Sequence, residues 1–265
     1  MFEQEKGDCT EFRDAATGMN HFEAHGDRWS SLDDNDALAL AVVMDRLFQR
    51  GGFAVEEMPG RYDMLIQPSG DCRAAALVSE NEEGEPGVDS VYPVLRGRRN
   101  ALRVAHVHEW LMPVQAEAEV YAAPFGTSGE LTDALVFFDP FYCRDREVLA
   151  ALKASGEGAD FLLSAWAYRA APAGEKPAPA LRRHQVASEY LFRLTVRDVE
   201  PAEFCGYPVW KLGVDFGEGG PQELPAFLYA PERALNGLVP QAGDVLEGQL
   251  WLCGHLASAF EEWNG

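Results

Sequence analysis

The stretch that decides the fold is Gly158-Ala-Asp-Phe-Leu-Leu-Ser-Ala-Trp166-Ala-Tyr168. A similar pattern returns later in the chain as Gly243-Asp-Val-Leu-Glu-Gly248-Gln-Leu-Trp251-Leu-Cys-Gly254. Each stretch begins at a glycine, is largely apolar and contains a tryptophan. Each also follows an apolar strand and a helical stretch headed by proline, within residues 134–168 and 225–254. The repetition predicts a duplicated β-rich unit; the alternative is a coincidence between two β-rich segments. The repetition bears on the architecture of the protein and does not point to any chemical activity.

Two helices are expected. Residues 37–50 have helical composition, follow the N-cap candidates Asp33-Asp34-Asn35-Asp36 and precede Gly51-Gly52, which predicts a helix near residues 36–50. Asp139 can cap a second helix that has Pro140 near its first turn and covers residues 143–154. Residues 231–237 repeat this second helix in shorter form.

Alternating apolar and polar residues predict strands in much of the remaining chain. In residues 114–121, Val114, Ala116, Ala118 and Val120 occupy one face, and Gln115, Glu117, Glu119 and Tyr121 occupy the other. This alternation is typical of an antiparallel strand with one face in solvent. Residues 192–197 and 210–216 alternate in the same way.

The predicted fold class is mainly β, and α+β overall. A helix between the third and fourth strands of a small Greek-key barrel is typical of the OB-fold, so we expect two OB-like or related small β-barrels in tandem after an N-terminal α+β segment. The boundaries are an acidic polar arm at 1–35, the α+β segment at 36–99, OB-like units at 100–170 and 188–260, and a Pro/Ala-rich linker at 171–187. The alternative is one continuous β-sandwich in which the linker is a surface loop.

Three motifs carry a family resemblance. They are Phe137-Phe138-Asp139-Pro-Phe-Tyr142, Leu163-Ser-Ala-Trp166-Ala-Tyr168 and Gly248-Gln-Leu-Trp251-Leu-Cys-Gly254-His-Leu256. With them, residues 100–256 resemble a group of uncharacterised bacterial proteins with an FFxxxY, LSAxAY and GxLWLxGxL signature, although Cys253 stands where Gln is expected. The resemblance implies a β-barrel-like core and a bacterial source. It implies no activity and no catalytic residues.

The charge of the chain limits its partners. Forty-three acidic and 22 basic residues give a formal net charge of −21. Such a field opposes the approach of nucleic acid and of anionic membrane surfaces, so neither is an expected partner. One interpretation is a protein that repulsion keeps soluble, and the other is an acidic surface that meets a basic protein partner.

The cysteines and the first residues of the chain predict a cytoplasmic location. The five cysteines are dispersed and form no CxxC motif, which is typical of a reducing compartment. The first residues, Met-Phe-Glu-Gln-Glu-Lys-Gly-Asp, resemble no signal peptide. No apolar run in the sequence is long enough to cross a membrane as a helix.

His106 and His108 are the metal-ligand candidates. Residues two apart on a strand share a face, so both imidazoles could reach one metal ion, but no third ligand is placed. The alternative is ordinary half-burial. The sequence contains no nucleophile elbow, phosphate loop or dinucleotide fingerprint, so no cofactor is predicted.

A basic cluster is the other candidate site. Arg96, Arg98, Arg99 and Arg103 lie together, and Arg182-Arg183-His184 form a smaller group. In an OB-like protein such arginines bind phosphates beside stacking aromatic rings, for which Trp166 and Trp251 are candidates. The alternative is local neutralisation of the surrounding acids.

Three classes of function follow. A non-enzymatic protein-interaction or adaptor protein of the bacterial cytoplasm is favoured, because the sequence shows no catalytic set. The first alternative is a metal-dependent enzyme that uses His106 and His108. The second is a single-stranded nucleic-acid-binding OB-like protein that uses the arginine cluster.

Overall fold

The computed structural model describes residues 28–49, 54–57, 62–80, 84–109, 118–124, 134–174, 180–184, 188–219 and 222–257. Within these ranges the chain forms fourteen β-strands, two α-helices and a short 3₁₀ helix (Trp29–Ser31). The prediction of a mainly β fold with α+β character is therefore confirmed. The assignment of each repeated unit to an OB-like barrel stays a prediction. No helix in these ranges combines the length and apolar character needed to cross a membrane.

The N-terminal part of the described chain is a helix on a small antiparallel sheet. Helix α1 (Asp36–Phe48) begins after Asn35, whose side chain accepts a hydrogen bond from the backbone N–H of Leu38 at 3.2 Å. The four strands pair in chain order as β1 (Ala54–Glu57), β2 (Tyr62–Ile66), β3 (Cys72–Glu80) and β4 (Pro86–Leu95). The helix near residues 36–50 is confirmed, whereas Gly51 and Gly52 lie outside the described residues. We call this helix and sheet, with the 3₁₀ helix before them, the N-terminal layer.

The remaining strands form one ten-stranded sheet in the order β11-β12-β13-β8-β5-β6-β7-β14-β10-β9. Helix α2 (Tyr142–Ser155) connects β7 to β8. The strands are β5 (Arg98–Glu109), β6 (Ala118–Pro124), β7 (Leu135–Asp139), β8 (Gly158–Pro172), β9 (Leu181–Arg183), β10 (Glu189–Thr195), β11 (Asp198–Phe204), β12 (Tyr207–Asp215), β13 (Pro225–Pro231) and β14 (Val245–Leu256).

The two repeated stretches form the longest strand pairing that the structure describes in this sheet. Strands β8 and β14 pair antiparallel from Phe161 to Pro172, and Trp166 lies opposite Trp251. The strand before each stretch pairs with the other unit: β7 is parallel to β14, and β13 is parallel to β8. The two units are therefore interleaved within one sheet. The predicted linker at 171–187 contributes to two strands, since β8 continues to Pro172 and β9 covers residues 181–183. Residues 175–179 and 185–187 of the linker lie outside the described ranges.

The pairing between β8 and β14 also closes a ring. Strands β8, β5, β6, β7 and β14 are joined in that order, and β14 returns to β8. An apolar cluster from these strands and from β10, β12 and β13 includes Leu102, Phe137, Phe161, Leu212 and Leu250, all buried. Burial of this many large apolar side chains is the main stabilising contribution to the fold.

A second apolar cluster lies between the N-terminal layer and the large sheet. It joins Val43 and Leu47 of α1 and Leu77 of β3 to Trp166 and Trp251 of the central strand pair. One face of the large sheet therefore packs on the first apolar cluster, and part of its other face is covered by the N-terminal layer. The layers are also joined by charge, because Lys211 Nζ lies 2.7 Å from Asp71 Oδ2 and 2.9 Å from Glu200 Oε2.

The prediction of a half-exposed strand at residues 114–121 is wrong for its described part. Glu119 and Tyr121, expected in solvent, are both buried. Strand β6 lies between β5 and β7, and the adjacent residues Glu119 and Val120, which point to opposite faces, are both fully buried. The Glu119 carboxylate accepts a hydrogen bond from the Ser188 hydroxyl at 3.1 Å, which compensates part of its desolvation. Residues 114–117 lie outside the described residues.

Helix α2 agrees with the expected helix at 143–154 and ends at Gly156, which adopts a left-handed conformation at φ +69°. Asp139 is not its N-cap residue; its carboxylate accepts the backbone N–H of Phe141 in the turn before the helix. The corresponding residues 231–237 form turns without an α-helix. The two units therefore differ most in the connection before their long final strands.

Candidate functional site

A groove opens where the N-terminal layer stops covering the large sheet. Its floor is the exposed face of strands β8, β14, β10 and β9, and its volume is about 1270 Å³. One wall is the segment of residues 30–34, at the start of the N-terminal layer. The turn at residues 233–237 forms another wall. We call this site the arginine groove, after the four arginines that line it: Arg169, Arg182, Arg193 and Arg233.

The strand register places two of these arginines in one row. Arg169 of β8 lies opposite Gln249 of β14, Gln249 lies opposite Leu191 of β10, and Leu191 lies opposite Arg182 of β9. Directly opposed residues point to the same face of a sheet. With three interstrand spacings between them, the Cα atoms of Arg169 and Arg182 are about 14 Å apart.

Two of the four guanidinium groups already have carboxylate partners. Arg193 lies 3.2 Å from Glu247, and Arg233 forms an ion pair with Asp34 and donates a hydrogen bond to the Ser30 carbonyl oxygen at 3.0 Å. Arg169 and Arg182 are exposed, and within the described part of the chain neither forms an ion pair. Both therefore remain available to an anionic group from outside.

Their availability is unusual for this composition. Acidic residues outnumber basic ones by 43 to 22, and most of the other arginines near the large sheet have an acid beside them. A guanidinium offers a planar pair of N–H donors that matches a carboxylate or a phosphate. The arginine groove thus presents two guanidiniums without a carboxylate partner in the described chain, on a strongly acidic protein.

Gly248 sets the backbone path in the groove floor. A Cβ atom at this position would lie 2.0 Å from the carbonyl oxygen of Arg169, so only glycine allows β14 to approach β8 here. The register shifts by one residue immediately beyond it, between Gln249 and Leu250. Such an irregularity bends the strand and redirects its side chains.

A buried carboxyl group borders the inner end of the groove. Burial raises the pKa of Glu189, although the amide of Gln249 donates a hydrogen bond to this carboxylate at 2.9 Å. His184 Nδ1 lies 3.7 Å from the same carboxylate. Burial also raises the pKa of Tyr168, which lines the groove, well above its usual value. These contacts hold the Gln249 side chain between the two arginines.

Trp166 and Trp251 do not form an exposed stacking surface. Each side chain is 1% exposed, because the N-terminal layer covers this part of the sheet. The indole N–H of Trp166 donates to the Ser31 hydroxyl at 2.8 Å, and that of Trp251 donates to the Ser188 hydroxyl at 3.1 Å. The guanidinium of Arg28 lies over the Trp251 ring at 4.5 Å. Both indoles therefore belong to the core.

The predicted arginine cluster lies away from the groove and is largely neutralised. Arg96 pairs with Asp71 at 3.1 Å, Arg98 with Asp198 at 2.8 Å and Arg99 with Asp160 at 2.9 Å. Arg103 follows on β5, opposite Ala123 of β6. These contacts favour the interpretation of the cluster as local neutralisation of acidic neighbours.

The structure places His106 and His108 in different surroundings on β5. His106 is half-buried against the ring of Tyr121, with ring centroids 5.5 Å apart, and His108 is 7% exposed opposite Glu119. Among the residues that the structure describes, no group of three His, Cys, Asp or Glu side chains could hold a metal ion. The metal hypothesis gains no support here and stays a prediction.

Comparison with known proteins gives no further guidance: no protein-family model matches the chain, and no curated protein or solved structure shows significant similarity. The resemblance to bacterial proteins stated above stays a prediction.

Sequence reasoning missed the groove as a site. It marked the Arg182 group, but Arg169, Arg193 and Arg233 are separated in the chain by apolar strands and turns. Only the register of β8, β14, β10 and β9 brings them together. The available signal was Arg169 itself, a charge directly after the apolar run that ends in Tyr168.

Proposed function

We propose that this protein is a non-enzymatic interaction protein of the bacterial cytoplasm, which binds an acidic segment of a partner protein in the arginine groove. The observation that supports this most is the pair Arg169 and Arg182, two exposed guanidiniums without a carboxylate partner in the described chain. They lie on one face of a sheet, in a groove whose other two arginines are paired with Glu247 and Asp34.

The size and shape of the groove favour a peptide segment over a small molecule. Small-molecule sites usually enclose about 300–1,000 Å³ and bury most of the ligand, whereas this groove is larger and open along four strands. Its apolar floor residue Leu191 gives a peptide side chain a place to pack. Arg169 and Arg182, at the two ends of the row, then favour a ligand segment with negative charge.

The overall charge argues against nucleic acid as the occupant. A polyanion that follows the groove would meet Glu247 and Asp33 in the lining, and the net charge of −21 beyond it. A short acidic segment contacts the arginines without extending over the rest of the surface. Exposed pairs of this kind contribute about 0–1 kcal/mol each, so we expect weak, salt-dependent binding.

The proposal is tested with a defined probe. A short fluorescein-labelled peptide of alternating glutamate and serine is titrated with the full-length protein, and anisotropy is followed at about 50 mM and about 300 mM salt. The groove variant is Arg169→Glu with Arg182→Glu. The matched control, Arg96→Glu with Arg99→Glu, makes the same change in net charge outside the groove.

We expect the native protein and the control to bind the peptide at low salt, and the groove variant to lose binding. Equal binding by the groove variant, or none by the native protein, contradicts the proposal. Binding of a lysine–serine peptide instead would favour the predicted basic partner. Binding of an oligothymidylate that depends on Arg169 and Arg182 would favour the nucleic-acid alternative.

A further inference from the structure

The row of side chains that crosses the groove floor changes in chemistry from its ends to its centre. Arg169, Gln249, Leu191 and Arg182 follow one another on β8, β14, β10 and β9, one strand apart. The two arginines are exposed, whereas Gln249 and Leu191 are half-buried. With about 4.8 Å between neighbouring strands, the three later Cα atoms lie about 5, 10 and 14 Å from that of Arg169. A ligand that contacts both arginines therefore passes over Gln249 and Leu191.

An extended peptide has a period that matches this row. Its residues advance by about 3.3–3.4 Å each, and every second side chain points to the same face. Residues i and i+4 therefore face the floor about 13–14 Å apart, which is close to the separation of Arg169 and Arg182. The side chain of residue i+2 lies about 7 Å along the row, between Gln249 and Leu191. Residue i+3 points away from the floor, so an acid there does not replace one at i+4.

Acidic side chains flank the centre of the row. Glu247 lies two residues before Gln249 on β14, so it points to the same face. Glu189 lies two residues before Leu191 on β10, and its carboxylate is 2.9 Å from the Gln249 amide nitrogen. Arg193 also lies on this face, but it is paired with Glu247 at 3.2 Å. The centre therefore offers little attraction to a third acid, whereas an apolar side chain packs on Leu191.

We propose that the partner segment carries two acidic residues four positions apart, with an apolar residue midway between them, and crosses the groove floor in an extended conformation. The acids bind Arg169 and Arg182 through charge-assisted hydrogen bonds. The apolar side chain between them packs on Leu191. This inference rests on the proposed function and adds the residue pattern of the acidic segment. Affinity then depends on the order of the residues as well as on the number of acids.

The pattern gives the groove a means of discrimination. Two exposed ion pairs contribute little and would accept any acidic segment. The contact with Leu191 adds affinity only when an apolar residue stands at the right distance from both acids. A segment with a carboxylate at every second position would place one beside Glu189 and Glu247, which opposes its binding. Attraction thus comes from the ends of the row, and specificity comes from its centre.

The test compares three peptides of identical composition, each with N-terminal fluorescein and a C-terminal amide. In the matched peptide, Ser-Ser-Glu-Ser-Leu-Ser-Glu-Ser-Ser, the acids are four positions apart and leucine lies midway. The second, Ser-Ser-Glu-Leu-Ser-Glu-Ser-Ser-Ser, has the acids three positions apart. The third, Ser-Ser-Glu-Ser-Ser-Ser-Glu-Leu-Ser, keeps the acid spacing and moves the leucine outside it. Because their charges are equal, repulsion by the acidic protein affects all three alike. Anisotropy is followed at about 50 mM salt.

We expect the native protein to bind the matched peptide about fivefold more tightly than either rearranged peptide, since partial burial of one leucine side chain contributes a factor of this order. The variant Leu191→Ala should bring the three affinities together. Its matched control is Leu152→Ala, which shortens a half-buried leucine of α2 outside the groove and should leave the preference unchanged.

The outcomes separate this inference from the proposed function. Equal affinities for the three peptides, lost in the variant Arg169→Glu with Arg182→Glu, overturn the inference and leave the proposed function intact. Tighter binding of a rearranged peptide overturns the inference in the same way. Binding of none of the peptides overturns both. Sedimentation equilibrium without peptide gives the last outcome: a dimer of the native protein that is lost in the groove variant would identify a second copy as the occupant and overturn the inference.

Discussion

Two parts of one sheet face have opposite characters. Where the N-terminal layer covers β8 and β14, the face carries Trp166 and Trp251, both buried and hydrogen-bonded. Three positions further along β8, Arg169 is exposed in the groove. The same two strands therefore supply a buried part of the core and the floor of the arginine groove.

The difference shows that the edge of a covering layer can define a site. Beyond the edge of the layer the sheet face lies in water, where polar side chains are favoured, and Arg169 and Arg182 lie there beside the apolar Leu191. The segment that forms the edge lines the groove with Asp33 and Asp34 and so becomes one of its walls. The position of the arginine groove on the large sheet is therefore set by the point at which the N-terminal layer stops covering that sheet.

The largest expected effect lies in the covered part. Trp166→Ala or Trp251→Ala should lower the free energy of unfolding by about 3–5 kcal/mol, because each removes a buried indole and leaves a cavity. Chemical denaturation followed by circular dichroism measures this. A loss below about 1 kcal/mol for both variants would mean that the layer does not pack on the sheet as described.

A smaller effect is expected at the boundary between the two parts. Gly248→Ala should cost about 1–3 kcal/mol, because its Cβ atom would meet the Arg169 carbonyl oxygen at 2.0 Å. Gly174→Ala is the control in the same region, since its nearest contact would be the Glu247 carboxylate at 4.0 Å. Thermal denaturation measures the melting temperatures of both variants. Equal melting temperatures would contradict the close approach of β8 and β14 at Gly248.

Two carboxyl groups, Asp71 and Glu189, should affect the stability of the fold in opposite directions as the pH changes. At Asp71, burial tends to raise the pKa, but hydrogen bonds from Lys211 and Arg96 outweigh it and hold the pKa below the usual 3.8. This carboxylate therefore stabilises the fold above about pH 4, and its contribution is lost as the pH falls through the lowered pKa.

At Glu189 the sign is reversed. Burial raises its pKa above the usual 4.5, so the fold loses stability as the pH rises from that value through the raised pKa. We expect Asp71→Asn to be less stable than the native protein at neutral pH and Glu189→Gln to be as stable or more so, with both differences shrinking near pH 3. Urea denaturation across this pH range measures the slopes; slopes of the same sign would contradict the assignment.

The smallest effect on stability is expected in the open part. Arg169→Ala and Arg182→Ala should change the free energy of unfolding by no more than about 0.5 kcal/mol, because both side chains are exposed and neither has an ion pair in the described chain. Urea denaturation checks this against the tryptophan variants. A loss comparable to theirs would show that the arginines stabilise the fold and would weaken their role in binding.

Local signals predicted the elements better than their arrangement. Asn35, one of the predicted N-cap candidates, does begin the first helix, because capping depends on a few neighbouring residues. The repeated tryptophan stretches indicated a duplication, but nothing near them indicates that β7 pairs with β14 and β13 with β8. Such pairing depends on the whole chain, and so does the groove that it positions.

Glu119 shows why the alternation on β6 was misleading. A charged residue in an alternating pattern normally indicates solvent, yet here Ser188, far along the chain, donates the hydrogen bond that lets the carboxylate remain inside. Trp166 and Trp251 were assigned to a surface for a related reason. Their aromatic character suits stacking, and the N-terminal layer that covers them is distant in sequence.

The interleaved strands also govern the order in which this chain acquires its structure during synthesis. Strand β8 leaves the ribosome long before β13 and β14, its partners on either side, and Trp166 bonds to Ser31 across 135 positions. Pairings this distant form slowly, and the apolar face of β8 stays exposed until they do. The first unit therefore reaches its final strand pairing only after β14 has been synthesised.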